Sequence, residues 1–182
     1  MTDQPELWIF AYGSLMWDPG FAPQETAIAR LEGYSRAFSM RSIQYRGTVE
    51  TPGLVLALER APGAHCLGLA LRVPDDQRQQ VLADLREREL ITNAYIETPL
   101  PVTLADGRVR TALAYVIDPA HWQYCGGMDY DQQARIISTA HGGRGPNADY
   151  LYNTVSHLAE LGLDDPTLKD LVQRVRRLTG QG

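Results

Sequence analysis

Two glutamates separated by one residue stand in the segment Leu85-Arg86-Glu87-Arg88-Glu89-Leu90. At about 100° per residue, a helix through this segment puts Glu89 within about 40° of the stripe marked by Val81, Leu82 and Leu85. Glu87 falls about 160° from Leu85, on the solvent side. A carboxylate turned toward an apolar interior is poorly solvated, so it holds its proton more tightly and becomes a base suited to neutral pH. Glu89 is therefore the candidate general base. The same inward position also suits an ion pair with a neighbouring arginine, and both readings stay open. Glu87 reads as a solvated surface charge.

Other polar clusters are weaker pointers. Tyr12-Gly13-Ser14-Leu15 ends an apolar run, and such a turn frees backbone N–H groups that can receive a carboxylate or an oxyanion; a plain strand-ending turn fits the same residues. Ser14 lacks the Gly-x-Ser-x-Gly context of a hydrolase nucleophile. Arg46, in Arg46-Gly47-Thr48-Val49-Glu50-Thr51-Pro52-Gly53, either offers a guanidinium to an anionic ligand or belongs to a polar loop. His141-Gly142-Gly143-Arg144-Gly145-Pro146-Asn147 lacks the Lys-Ser/Thr pair of a phosphate loop and follows a helix rather than a strand. It is expected to end one helix at Gly142 or Gly143 and to begin the next with Asn147 as cap. The histidines at 65, 121, 141 and 157 show no metal-ligand spacing, so no metal is expected. Cys66 and Cys125 form no CxxC and no disulfide framework, which fits a reducing cytoplasm. A Cys–His nucleophile from either has no local support.

These groups need a scaffold. The chain has 182 residues, 44% of them hydrophobic and 21% charged. That suffices for one domain over residues 1–182 and excludes extensive disorder. A net charge of −5 argues against a general nucleic-acid binder. No apolar run approaches the roughly 18–20 residues that cross a bilayer, and the acidic opening Met1-Thr2-Asp3-Gln4-Pro5-Glu6 does not read as an export signal. Strands are expected at 7–12, 27–33, 36–42, 53–59, 66–73, 94–104 and 108–118, with 53–59 and 66–73 forming a hairpin around a turn at 61–64. Pro74-Asp75-Asp76 opens the helix that carries Glu89. Further helices are expected at 131–140, 147–162 and 166–178. Strands, one helix, strands, then helices give an α+β fold with a mixed, mostly antiparallel, barrel-like sheet and flanking helices.

Four segments, in order, resemble the ChaC-like γ-glutamylcyclotransferases. They are Trp8-Ile9-Phe10-Ala11-Tyr12-Gly13-Ser14-Leu15-Met16-Trp17; Arg46-Gly47-Thr48 with Pro52-Gly53; residues 85–95 with Arg88-Glu89; and Gly145-Pro146-Asn147-Ala148-Asp149-Tyr150-Leu151 with Thr154 and His157-Leu158. The resemblance implies a cofactor-free reaction in which a γ-glutamyl compound, typically glutathione in this branch, attacks its own γ-carbonyl carbon with its α-amine. It releases 5-oxoproline and, from glutathione, Cys-Gly. Glu89 would then serve as general base and later acid. Tyr12, Gly13, Ser14 and Leu15 would bind the glutamyl end, Arg46 an anionic group, and Tyr95 and Tyr115 would line the pocket. The chain departs from the pattern at Tyr45, where a His is common, at Val49, where a Pro is common, and at Asn93-Ala94-Tyr95, where a Gly-containing step to Tyr is usual. These departures leave the base and the Tyr-Gly-Ser-Leu turn in place and bear on the leaving-group pocket. The rival readings are lactam closure on another γ-glutamyl amino acid or amine, a non-catalytic binding or regulatory module, and a Cys-dependent amidase.

Overall fold

The computed structural model describes residues 4–181. Its elements run β1 (Trp8–Ala11), β2 (Glu25–Ser42), β3 (Gly53–Arg72), α1 (Arg78–Glu89), β4 (Tyr95–Leu104), β5 (Val109–Ile117), α2 (Tyr130–Thr139), β6 (His141–Gly142), β7 (Gly145–Pro146), α3 (Asn147–Glu160) and α4 (Pro166–Thr179). A short 3-10 turn at Ser14–Met16 follows β1, and another at Asp75–Gln77 leads into α1. The fold is α+β. Five strands close into a barrel in the order β1-β3-β2-β4-β5, and β6 and β7 form a separate two-stranded ribbon. β5 pairs parallel with β1 and β3, while β1–β3, β2–β4 and β4–β5 are antiparallel. Residues 1–3, part of the acidic opening read against export, lie outside the described residues. Among the described residues no helix is long and apolar enough to cross a membrane.

Contacts divide the chain into two compact units, one holding residues up to Arg36 together with Leu58–His121, the other Ala37–Ala57 together with residues from Trp122 on. In the first unit the period of two along a strand sorts the side chains. Trp8 and Phe10 of β1, Val102 and Leu104 of β4, and Ala112, Ala114 and Val116 of β5 fill the barrel with Ala29, Leu31, Leu58, Cys66 and Ala70. The alanines make room for the two large rings. Glu97 and Tyr115, directly opposite each other on β4 and β5, have the other parity and so lie on the outer face. The helix α1 reaches that face through Arg86.

Several expectations need correction here. The strands expected at 27–33 and 36–42 are one strand, because Gly33 takes φ 79° and lets β2 bend without breaking. The hairpin expected between 53–59 and 66–73 is also one strand. Its direction does change: Leu58 runs parallel to Val116 of β5, whereas the stretch from Leu69 to Arg72 runs antiparallel to β1, which is itself parallel to β5. Gly63, at φ 84°, supplies a bend that the strand continues through, so barrel curvature does the work of a tight turn.

In the second unit α2 and α4 are capped by Asp129 and Asp165, which accept from the N–H groups of Gln132 and Leu168, and α4 stops at Gly180 in the left-handed region. Neither Gly142 nor Gly143 ends a helix. The helix α2 closes at Thr139, Ala140 is extended, and Gly142 pairs with Gly145 in the small ribbon. A Cβ on Gly142 would stand 2.5 Å from the backbone at Tyr45 and Gly47, so close packing explains the glycine. Asn147 does not cap α3 either, because Pro146 holds that position. Fully buried, its side chain accepts from Leu54 N at 2.7 Å and donates to Leu54 O at 2.8 Å, standing in for a strand neighbour.

Candidate active site

The last turn of α1 supplies the carboxylate. Val81 and Leu85 are buried, and Glu89, on their side of the helix, has a side chain only 16% exposed. Glu87 is exposed. The phase reading of Glu89 as the inward residue matches this geometry. Burial raises the pKa of Glu89, and the positive charge of Arg88 opposes the rise without cancelling it. The alternative reading, an ion pair, is present as well: Arg88 Nε stands 3.3 Å from Glu89 Oε1. The two readings describe one arrangement, a desolvated carboxylate with a cation at its edge.

Arg88 also ties that carboxylate to the turn after β1. Its Nη2 donates to Ser14 Oγ at 3.0 Å and its Nη1 to the Asp18 carbonyl at 2.7 Å. Within the turn, Met16 N bonds Gly13 O, and the N–H groups of Trp17 and Asp18 bond Ser14 O. A 3-10 turn that starts this way leaves the N–H groups of Ser14 and Leu15 without a carbonyl of the turn itself. Tyr12 anchors the approach to it: the Tyr12 hydroxyl donates to Tyr115 O at 3.0 Å, and Arg36 Nη1 donates to Tyr12 O at 2.7 Å.

On the outer face of β4 and β5 the Tyr115 hydroxyl donates to Glu97 Oε2 at 3.2 Å. Arg86 grips the same carboxylate with both ends of its fork, Nε to Oε2 at 3.0 Å and Nη2 to Oε1 at 2.8 Å. That hydrogen bonding holds the Glu97 carboxyl below the usual range despite partial burial. Burial, followed by the negative charges of Glu97 and Glu89, pushes the Tyr115 phenol up. Tyr95 opens β4 opposite Ile117, half-buried and two residues from Glu97.

The structure thus links Tyr12, Ser14, Glu89 and Tyr115 through Arg88 and main-chain bonds in the first unit, with Tyr95 on the strand beside Tyr115. Arg46 belongs to the second unit. There its Nη1 donates to the carbonyls of Arg144 at 2.9 Å and Pro146 at 3.1 Å, and its guanidinium lies 5.7 Å from the centre of the Tyr150 ring. Those bonds give Arg46 a structural task whatever else it does. Cys66, one of the two thiols considered for an amidase, is 3% exposed inside the barrel. Sequence reasoning anticipated an arginine beside Glu89, which is Arg88, but missed its hold on Ser14 and the side-chain roles of Arg36, Arg86 and Glu97. Arg86 had a signal, since it sits three residues before Glu89 and therefore on nearly the same helix face; Arg36 and Glu97 had none without the strand register.

Replacing Arg88 by Met removes the cation beside Glu89 and the hold on Ser14. The pKa of Glu89 is then expected to rise further, moving the acidic limb of the pH–rate profile to higher pH, and KM is expected to rise with it. Arg88→Lys keeps the charge without the fork and is expected to keep the limb near its original pH while still raising KM. A pH–rate profile of both variants checks this.

The ChaC-like protein family model matches residues 7–178. A glutathione-specific gamma-glutamylcyclotransferase of Escherichia coli (strain K12) is 37% identical over 179 residues, covering 98% of this chain and 77% of that protein. Its namesake in Schizosaccharomyces pombe is 34% identical over 188 residues, covering 94% and 90%. Gamma-glutamylcyclotransferase 2-3 of Arabidopsis thaliana is 32% identical, covering 96% and 91%. In fold, the chain is similar to the selenomethionine-labelled yeast γ-glutamyl cyclotransferase specific to glutathione, with a TM-score of 0.85 at 22% identity over 96% of this chain and 97% of that one.

Proposed function

The chain belongs to the family of ChaC-like proteins, and from that premise we propose that it is a γ-glutamylcyclotransferase acting on glutathione. The observation that carries the reading is a desolvated glutamate, Glu89, coupled through Arg88 to a turn whose first N–H groups find no carbonyl within the turn. Cyclotransfer asks for little more than this. The nucleophile is the substrate's own α-amine, so the protein must fold the glutamyl chain into a ring-closing shape and carry protons from the α-nitrogen to the leaving nitrogen. Glu89 takes a proton from the α-ammonium. The freed amine nitrogen attacks the γ-carbonyl carbon, and the new C–N bond closes a five-membered ring. The carbonyl oxygen becomes an oxyanion as the tetrahedral centre forms. When the centre collapses, the bond to the cysteinyl nitrogen breaks, and that nitrogen takes the proton held by Glu89. The ring nitrogen, which still carries two hydrogens, then gives one through Glu89 to the departing amine, so the lactam leaves neutral and Cys-Gly leaves as its ammonium. The products are 5-oxoproline and Cys-Gly. No external base, nucleophile or cofactor enters the balance.

The N–H groups of Ser14 and Leu15 serve the glutamyl α-carboxylate or the developing oxyanion, both negative and both suited to fixed backbone donors. Tyr12, Tyr95 and Tyr115 line the glutamyl end. Residues 1–182 act as one catalytic domain, and a reducing cytoplasm suits both the substrate and a chain with two cysteines.

Incubation with glutathione, without added metal or nucleotide, is expected to yield 5-oxoproline and Cys-Gly in equal amounts by mass spectrometry. A panel of γ-glutamyl amino acids and amines run alongside is expected to react more slowly. Product from the panel but not from glutathione would move the substrate. Product from neither would replace the enzyme by a binding module.

A further inference from the structure

Arg86 and Glu97 have no task in the reaction as described so far, and the Tyr115 they hold only lines the glutamyl end. A tyrosine hydroxyl has one proton and two lone pairs. The proton of Tyr115 is committed to Glu97, at 3.2 Å. Glu97 cannot return a proton, because Arg86 bonds both of its oxygens and keeps it ionised. Whatever else meets the Tyr115 oxygen therefore meets an acceptor. Arg86 and Glu89 stand three residues apart on one helix, less than a full turn and about 4.5 Å along its axis. Arg86 grips the carboxylate bonded to Tyr115, so the turn that carries Glu89 is fixed against the same sheet face as the phenol. The negative charge of Glu89 is among the influences felt by the phenol, consistent with that placement.

We propose that Tyr115 accepts an N–H of the substrate's α-ammonium beside Glu89, and that Glu97, gripped by Arg86, is the positioning residue that makes Tyr115 an acceptor there. The inference rests on the cyclotransfer reading and deepens it. The α-ammonium brings three N–H donors. Glu89 takes the one that becomes the transferred proton, and Tyr115 holds a second, so the nitrogen keeps its aim when deprotonated. A carboxylate in the same place would face an anion and a phenol with no proton to give. The corner therefore selects the amine end of the glutamyl group and turns the α-carboxylate away, toward donors such as Ser14 and Leu15 N–H. Tyr115 touches substrate; Glu97 and Arg86 act through it.

The test compares glutathione with its des-amino analogue, glutaryl-cysteinylglycine, by calorimetry in Glu89→Gln protein, where turnover is slow enough for glutathione binding to be read. Tyr115→Phe and Glu97→Gln, each added to that background, are expected to weaken glutathione binding roughly tenfold or more, the usual weight of a hydrogen bond to a charged group. The analogue's Kd is expected to stay unchanged. Arg86→Lys, a point charge that cannot hold both oxygens, is expected to give a smaller loss in the same direction. In turnover, Tyr115→Phe is expected to raise KM and lower kcat together. Equal weakening of both ligands would mean a structural role and overturn the proposal, as would no weakening of either. If the parent releases 5-oxoproline while the ratio of the two Kd values does not move, this proposal alone falls. If the parent neither binds nor turns over glutathione, the cyclotransfer reading falls and takes the proposal with it.

Discussion

Glu89→Gln is expected to lower 5-oxoproline release by about 10²- to 10⁴-fold, the range over which a positioned general base accelerates proton transfer. Glutamine keeps the shape of the side chain and its bond-accepting oxygen but cannot take a proton. Glu87→Gln, on the exposed side of the same helix turn, is expected to turn over like the parent. The pair is decisive because the two residues share a helix, a charge and a neighbourhood, and differ only in phase. Activity surviving in Glu89→Gln and lost in Glu87→Gln would reverse the assignment. Stability separates chemistry from unfolding. Folding raises the pKa of Glu89 because burial outweighs the help of Arg88. A carboxyl shifted upward favours folding while it is protonated, and that favour is lost as pH climbs from the ordinary glutamate range through the raised value. At pH 7, above the ordinary glutamate range, the upward shift costs the parent stability that Gln does not lose. Glu89→Gln is therefore expected to melt at a higher temperature than the parent at pH 7 and at the same temperature near pH 4. A variant that loses its activity and gains stability has lost a functional group, not its fold.

The strand content, the helix carrying Glu89 and the inward phase of Glu89 were all legible in the sequence, because each rests on local periodicity. Apolar positions recurring at helical spacing sort Glu89 from Glu87 without any tertiary information, and the unbroken apolar run from Leu7 to Tyr12 marks a buried strand. Residues whose meaning depends on register were not legible. Glu97 reads as a surface charge until β4 is set against β5 and places it opposite Tyr115. Glycine was the hardest letter. Gly33 and Gly63 look like turn residues and instead bend continuous strands, since a positive φ within a ladder and a positive φ in a turn leave the same trace in sequence. Asn147 looks like a helix cap by type and position, but its amide is spent on Leu54, 93 residues earlier. No local pattern encodes a partner at that separation.

Gly53→Ala is expected to cost far more stability than Gly63→Ala. Gly53 has no positive φ, so backbone strain is not the reason. Space is. A Cβ at this position would stand 2.1 Å from Arg46 O, 2.8 Å from Arg46 C and 2.8 Å from Asn147 Oδ1. Two of those atoms are backbone, and the third is held in place by accepting from Leu54 N at 2.7 Å. Relief by moving Asn147 would break a buried bond whose groups have no water to turn to, at about 1–3 kcal/mol. Relief by moving the 46–53 loop meets Gly47, where an added Cβ would stand 2.0 Å from Gly53 N, so the two chain segments already touch at the closest approach glycine allows. Overpacking itself costs about 1–3 kcal/mol, and the two costs together approach the lower end of a domain's whole stability, about 5–15 kcal/mol. A fall in Tm of roughly 5–20 °C follows for a chain of this size. Gly63→Ala makes the contrast. Gly63 has φ 84° and nothing within 4 Å of an added Cβ, so it incurs only the left-handed penalty, about 1–2 kcal/mol. Thermal denaturation of the two variants side by side is expected to place Gly53→Ala well below Gly63→Ala. The reverse order would mean that the 46–53 loop yields to a methyl group and that the Asn147–Leu54 pair is not what holds it.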